Sequence, residues 1–297
     1  MLAIVIPYYK AVFFEDALES VANQTDKRFR LYIGNDNSPE NPTAILDKFR
    51  DRFDFEYRFF DTNLGGTSLV SQWERCLAMI RDESWVMILG DDDQLQPNVV
   101  GTFHANIDKT EGVNVIRMAS VKIDDSGRTI SEVYTHPELE KSTDFLFRES
   151  RSSLGEYIFR VEKLRATGFA DFPLAWYSDL MAVLEISDFG NVLSLDQGVV
   201  NIRISGHSIS GNKGLQQSKN KAAAAFYLKL CSVYRSRFDS AQLAQLEEKL
   251  EKLYVWDKSN LKLFVKIATL HLKYKSPGKI ARLVKKAIVA VTRSRRQ

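Results

Sequence analysis

The chain has 297 residues, 44% hydrophobic and 11% aromatic, which is enough to bury a sizeable core and excludes an intrinsically disordered protein. Two cysteines, Cys76 and Cys231, are too few and too far apart for a disulfide scaffold or a zinc site, and both stand in helical patterns where small buried thiols are common. The net charge of +3 is uneven: residues 258–297 carry twelve lysines and arginines and no acid, so the rest of the chain is −9.

Residues 2–6 form an apolar run stopped by Pro7, followed by Tyr8-Tyr9-Lys10 and a helical pattern from Phe13 to Val21. A second strand, 29–33, ends in Gly34-Asn35-Asp36-Asn37-Ser38, and a third, 55–60, ends in Asp61-Thr62-Asn63-Leu64-Gly65-Gly66. A helix from Ser68 to about Arg81 then leads to Trp85-Val86-Met87-Ile88-Leu89, a run with the composition of a strand buried on both faces. Strands alternating with helices predict βαβ units and a mostly parallel sheet, with Pro7, Asp36, Asn63 and Asp91 to Asp93 on the edge where ligands of open α/β sheets bind. Three adjacent carboxylates repel one another unless a cation shares them. Hard oxygen ligands select Mg²⁺ or Mn²⁺, commonly together with substrate phosphates, so the triplet points to a metal-bridged diphosphate. A solvated acidic turn or a helix N-terminus would use the same residues.

Four segments in this order, Ile4-Val5-Ile6-Pro7-Tyr8-Tyr9-Lys10, Asn35-Asp36-Asn37-Ser38, Asn63-Leu64-Gly65-Gly66 and Leu89-Gly90-Asp91-Asp92-Asp93, resemble the motifs of family 2 glycosyltransferases of the GT-A fold. The resemblance spans roughly residues 1–210. It implies an α/β fold with a mostly parallel central sheet flanked by helices, a small antiparallel subsheet on the acceptor side and a C-terminal helical extension. By the same resemblance Pro7 and Tyr9 line a base pocket, Asp36 accepts a hydrogen bond from the nucleobase, Asn63 belongs to the nucleotide-binding residues, Asp91 lies near the ribose and Asp93 binds the metal. Asp92 shares either task.

Farther on, an irregular aromatic segment, Phe172 to Tyr177, leads into a helix with Ser178 as its N-cap and Asp179 in its first turn. The resemblance makes Asp179 the base that deprotonates the acceptor hydroxyl, with Ser178 in place of the acid usual before it; complementing the helix dipole is the plainer role. Trp176 and Tyr177 stack on an acceptor sugar or belong to the core. Residues 193–195 and 198–204 are expected as short strands, and Asn201 to Ser210 resembles the family segment that closes over the diphosphate. There Arg203 would offset phosphate charge and His207 would complete a metal shell, a histidine in such a loop being otherwise simply exposed. Gly206, Gly211 and Gly214 would let the segment move as a lid. Asp124 to Gly127 predicts a hairpin turn.

The expected division is a catalytic domain over residues 1–215, with a nucleotide-sugar half at 1–98 and an acceptor half at 99–215, and a helical region over 216–297. In the latter, leucines at 243, 246, 250 and 253 make a packing stripe, and apolar residues recur at helical spacing over 261–272 and 280–291 among lysines and arginines. Such helices lie on an anionic membrane surface or pack on protein with their charges in water. The first strand begins at Leu2, so no signal peptide is expected, and no run approaches the roughly 18 apolar residues of a membrane span. The setting expected is cytoplasmic, with a peripheral place on the inner membrane face open to the basic tail.

The resemblance therefore implies a metal-dependent, inverting transferase, using Mn²⁺ or Mg²⁺, that moves one sugar from a nucleotide diphosphate, with uridine favoured, to a saccharide or lipid-linked acceptor in glycan assembly. No Gln-x-x-Arg-Trp motif of processive synthases is present. Nucleic acid is not an expected partner; a homo-oligomer is compatible. Two rivals stand beside it: a nucleotide-sugar or carbohydrate-binding protein without turnover, and a sugar-phosphate nucleotidyltransferase, which would need a glycine-rich loop where Pro7 to Val12 has no glycine. A Rossmann dehydrogenase is disfavoured for want of Gly-x-Gly-x-x-Gly after a strand.

Overall fold

The computed structural model of the protein describes residues 1–149, 151–206, 208–257, 260–274 and 278–285. His207 and the apolar positions Ala287, Ile288 and Val291 lie outside the described residues. Met1–Gly214 forms one compact unit, and a second begins at Leu215.

In the first unit the chain runs β1 (Leu2–Tyr8), α1 (Phe14–Ala22), β2 (Phe29–Asn35), α2 (Thr43–Asp47), β3 (Phe55–Phe59), α3 (Leu69–Leu77), β4 (Trp85–Ile88), β5 (Gln94–Leu95) and α4 (Val99–Ala105). It continues through β6 (Val115–Ile123), β7 (Leu139–Lys141), β8 (Tyr157–Arg160), α5 (Val161–Thr167), α6 (Ser178–Ile186) and β9 (Asn191–Arg203). These strands form one sheet in the order β3-β2-β1-β4-β8-β6-β9-β5, with β7 also on β9. The first four are mutually parallel; β8 is antiparallel to both β4 and β6, and β5 and β7 are antiparallel to β9.

Strand periodicity sorts the core onto two faces. Leu2, Ile4, Ile6 and Tyr8 pack with Phe14, Leu18 and Val21 on one face, while Ala3 and Val5 pack with Val70, Cys76 and Leu77 on the other. β4 does the same: Met87 faces the first cluster, Val86 and Ile88 the second.

Pro7 does not end β1, which stays in register with β2 through Pro7↔Gly34 and Tyr8↔Asn35. It ends the pairing with β4, whose last rung is Leu89 N–H donating to Val5 O at 2.9 Å; residue 7 would donate the next one and has no N–H. The ladder between β1 and β4 therefore ends before that between β1 and β2. α3 is shorter than expected, stopping at Leu77, and Ser68 caps it by accepting from Ser71 N. Residues 191–203 form a single strand with a register shift opposite Met118/Ala119 instead of two separate strands. The 124–127 turn is present, with Gly127 at φ 79° and Asp124 Oδ1 accepting from Ser126 and Arg128 N–H, but its flanks pair only through the bridges Ile123↔Thr129 and Ser120↔Tyr134.

The second unit holds α7 (Gln216–Ser232), α8 (Ser240–Trp256), α9 (Leu261–Lys273) and a helical stretch at 278–285. Asp239 and Gln242 form a capping box at the start of α8. Leu246 and Leu250 are buried, together with Glu247 and Glu251. Glu247 is paired with Arg235 and Lys279, and Glu251 with His271 and Arg282. Two of the tail's cations are thus used inside the unit. No helix among the described residues is long and apolar enough to cross a membrane.

Candidate active site

The C-terminal edges of β1, β2 and β4 bring Pro7, Tyr9, Asp36 and the Asp91–Asp93 triplet together. Asp91 Oδ2 accepts from Tyr9 N–H and Lys10 N–H, both at 2.8 Å, and so pins the chain leaving β1. Burial, with Asp92 alongside, pushes its carboxyl up to about 6, against which these two amides act.

Asp36 is almost fully buried. Its two oxygens accept from Leu64 N–H and Gly65 N–H at 2.8 Å each, and Arg75 Nη2 donates to Oδ1 at 2.6 Å. The Arg75 guanidinium lies 3.9 Å from the centroid of the Phe60 ring and also binds Thr62 and Gln72. The carboxylate therefore docks the loop after β3 onto the C-terminal edge of β2. Gly65 is required there, because a Cβ would sit 2.5 Å from Asp36 Oδ2. Asn63 is exposed and closes its own turn, its Oδ1 accepting from Gly66 N–H at 2.6 Å.

Asp92 and Asp93 crowd the space over Gly90: a Cβ there would lie 2.8 Å from Asp92 Oδ1 and 3.1 Å from Asp93 Oδ2. Asp93 Oδ1 accepts from Arg203 N–H at 2.9 Å. Burial raises both carboxyls, and for Asp93 the charge of Asp92 adds to it. Two desolvated hard-oxygen groups opposed in this way suit a divalent cation. Among the described residues no three acidic, histidine or cysteine side chains form a ready-made cage; one or two carboxylates completed by diphosphate oxygens is the usual arrangement for Mg²⁺.

Arg203, expected to offset phosphate charge, is engaged within the protein. Its buried guanidinium donates to Asp92 O, Asp124 O and Asp125 O at 2.9–3.0 Å, pairs with Asp16 at 3.0 Å and lies 4.1 Å from the Phe13 ring centroid. It clamps the triplet loop to the 124–127 turn and to α1.

Before α6, Leu174, Ala175 and Tyr177 have φ of 61°, 51° and 71°, a run of left-handed non-glycine residues of the kind that clusters at functional sites. The N-cap of α6 is Tyr177 in this conformation, not Ser178. Ser178 begins the helix, and its hydroxyl donates to Ala170 O at 2.5 Å, tying down the preceding loop. Trp176 and Tyr177 are half-buried, their rings edge to face at 6.4 Å. Asp179 is half-buried in the first turn, where Ser152 Oγ donates to its Oδ2 at 2.9 Å. Burial raises its carboxyl, opposed by that hydroxyl and by Arg151.

Arg151 and Glu156 were not anticipated. Glu156 is fully buried; Oε1 accepts from Arg151 Nη1 at 3.2 Å, and Oε2 has no protein partner. Burial lifts its carboxyl to about 7, Asp179 adding to the effect. Arg151 also donates to Ser120 Oγ at 3.1 Å and lies 5.4 Å from the Tyr134 ring centroid. Its charge favours ionisation of both Asp93 and Asp179, so it links the triplet electrostatically to the α6 carboxylate. A glutamate at the head of Tyr157-Ile158-Phe159 was the available signal, since a carboxylate entering a buried strand needs a cation.

Residues 3–172 match the profile of the glycosyl transferase family 2. No curated protein matches the chain in sequence. Among solved structures, Staphylococcus aureus TarS 1–349 in complex with UDP-GlcNAc is similar at TM-score 0.67 and 12% identity, over 100% of this chain and 92% of that one. A longer TarS structure is similar at TM-score 0.58 and 15% identity, over 86% of this chain, which spans only 43% of it. GalNAc-T7 with UDP, GalNAc and Mn²⁺ is similar at TM-score 0.53 and 11% identity, over 84% of this chain and 55% of that one. With a central sheet flanked by helices, a fold shared with these structures and a profile match over more than half its length, the chain belongs to glycosyl transferase family 2 and has the GT-A fold.

Proposed function

We propose that the protein transfers a single sugar from a uridine diphosphate sugar to a hydroxyl of a saccharide or lipid-linked acceptor, with inversion, in glycan biosynthesis. The observation that carries this reading is the pairing, in a family 2 chain, of the desolvated Asp91–Asp93 triplet with Asp179 through the field of Arg151. TarS structures holding UDP-GlcNAc and UDP support the choice of uridine.

In this reading Pro7, Tyr9, Asp36 and Asn63 border the base, with Arg75 fixing Asp36. Asp91 sets the loop after β1 close to the ribose. Asp93, with Asp92, would hold Mn²⁺ or Mg²⁺, which when bound would offset the charge of the leaving diphosphate. Arg203 keeps the triplet loop in place, and His207 is a further candidate ligand. Trp176 and Tyr177 border the acceptor.

The acceptor oxygen attacks the anomeric carbon, the bond from that carbon to the diphosphate oxygen breaks, and the hydroxyl proton passes to Asp179. A carboxyl raised above the ordinary aspartate range is a stronger base than a solvated one, and general-base assistance is typically worth about 10²–10⁴ in rate. Attack opposite the leaving group inverts the configuration.

Calorimetric titration with UDP, GDP and TDP, each with and without Mn²⁺, tests the donor half on the wild type and an Asp93→Ala variant. Metal-dependent binding of UDP that the variant loses is the expected result. Binding of none of the three nucleotides overturns the reading.

A further inference from the structure

We propose that the outward face of α9 is a docking surface for an anionic lipid bilayer. α9 is held on its inner side by Leu263, Ile267, Leu270 and His271, all buried, and its N-terminus is capped by Asn260, whose side chain accepts from Leu263 N–H. The opposite side is apolar as well: Leu261, Val265 and Leu272 are 70%, 59% and 65% exposed. At 100° per residue these three fall within about 40° of one another, in a single stripe along the helix. Lys262, Lys266 and Lys273, all exposed, form a second stripe beside it, and none is in an ion pair among the described residues. No acid lies anywhere in α9.

Exposed aliphatic side chains beside a row of lysines suit the boundary between acyl chains and anionic headgroups: the stripe enters the apolar layer and the ammonium groups stay with the phosphates. Trp256, at the end of α8 and 81% exposed, is of the residue type that favours the same boundary. A second copy of the chain fits poorly. Two-fold pairing of this face would oppose lysine to lysine, and three aliphatic side chains fall far short of the roughly 800 Å² per partner of a standard interface. The charge of the tail has the right sign, with twelve lysines and arginines and no acid over residues 258–297. Each lysine near an anionic surface contributes about fivefold in affinity, so the three together contribute on the order of 100-fold.

The test is cosedimentation of the full chain with phosphatidylcholine vesicles, with or without about one third phosphatidylglycerol. Wild type should pellet with the anionic vesicles alone. A Lys262→Gln/Lys266→Gln/Lys273→Gln variant should lose on the order of 100-fold in partitioning, and a Leu261→Ser/Val265→Ser/Leu272→Ser variant should lose it too, both melting like wild type because every position is exposed. Wild type left in the supernatant with anionic vesicles overturns the proposal, as does pelleting that neither variant weakens. A wild-type dimer in light scattering that the apolar variant dissolves, without vesicle binding, assigns the face to a second copy instead. UDP binding by calorimetry is independent of all these results, so donor chemistry and membrane docking fail separately.

Discussion

Glu156→Gln isolates the energetics of the buried carboxyl behind the site. Glu156 has no exposed surface, and its carboxyl is lifted from 4.5 to about 7, chiefly by burial, so the folded state holds the proton more tightly than the unfolded chain does. At about 1.4 kcal/mol per pH unit this corresponds to roughly 3 kcal/mol. The sign follows from a raised folded-state value. The stabilisation is complete below 4.5 and is lost as pH rises through 7, where the group ionises in spite of its burial, with the Arg151 charge, the Ser120 hydroxyl and the Arg117 charge opposing that cost. Glutamine keeps the volume and an oxygen for Arg151 Nη1 but cannot ionise. Urea unfolding of wild type and variant should therefore show their stability difference moving in favour of the variant by about 3 kcal/mol between about pH 4 and pH 8. Pairing each variant point with wild type at the same pH cancels the titration of Asp91, Asp93 and Asp179 to first order. A difference independent of pH would refute the argument, because it would mean that the carboxyl titrates alike in both states.

Asp179→Asn should reduce transfer by about 10²–10⁴ with UDP affinity unchanged, and the acid limb of the wild-type rate profile should lie above the ordinary aspartate range because burial raises that carboxyl; assays with donor and acceptor across pH check both statements. Arg203→Met should destabilise the first unit by about 3–5 kcal/mol, since it removes the side-chain donor to the carbonyls of Asp92 and Asp125 and one of the two donors to Asp124 O, the other being Gly127 N–H. A melting temperature lower by roughly 10 °C is the expected calorimetric result, whereas an unchanged melt with weakened UDP binding would favour the phosphate-ligand role over the structural one.

Much of the nucleotide half was legible in the chain, because its signals are local. Apolar runs ending in Pro7, Asp36, Asn63 and Asp91 each mark a strand and its C-terminal edge, and a parallel βαβ arrangement places those edges side by side. Helix α6 with Asp179 in its first turn was also read from a local pattern, though its cap was not, since Tyr177 takes a left-handed conformation that no propensity favours. Sequence alone could not say where polar side chains spend their hydrogen bonds. Asp36 meets Arg75 across 39 positions, Asp91 meets Tyr9 and Lys10 across more than 80, and Arg203 meets Asp16 across 187. Those pairings exist only once β1, β2, β4 and β9 lie in one sheet. The same holds for Glu156: Arg151 is a near neighbour in sequence, but the burial of the carboxyl and its proximity to Asp179 follow from β8 lying between β4 and β6. Strand and helix type are settled by periodicity within a few residues. The charge state and partner of a buried carboxylate depend on desolvation and on groups that only long-range packing brings near, and that part belonged to the tertiary structure.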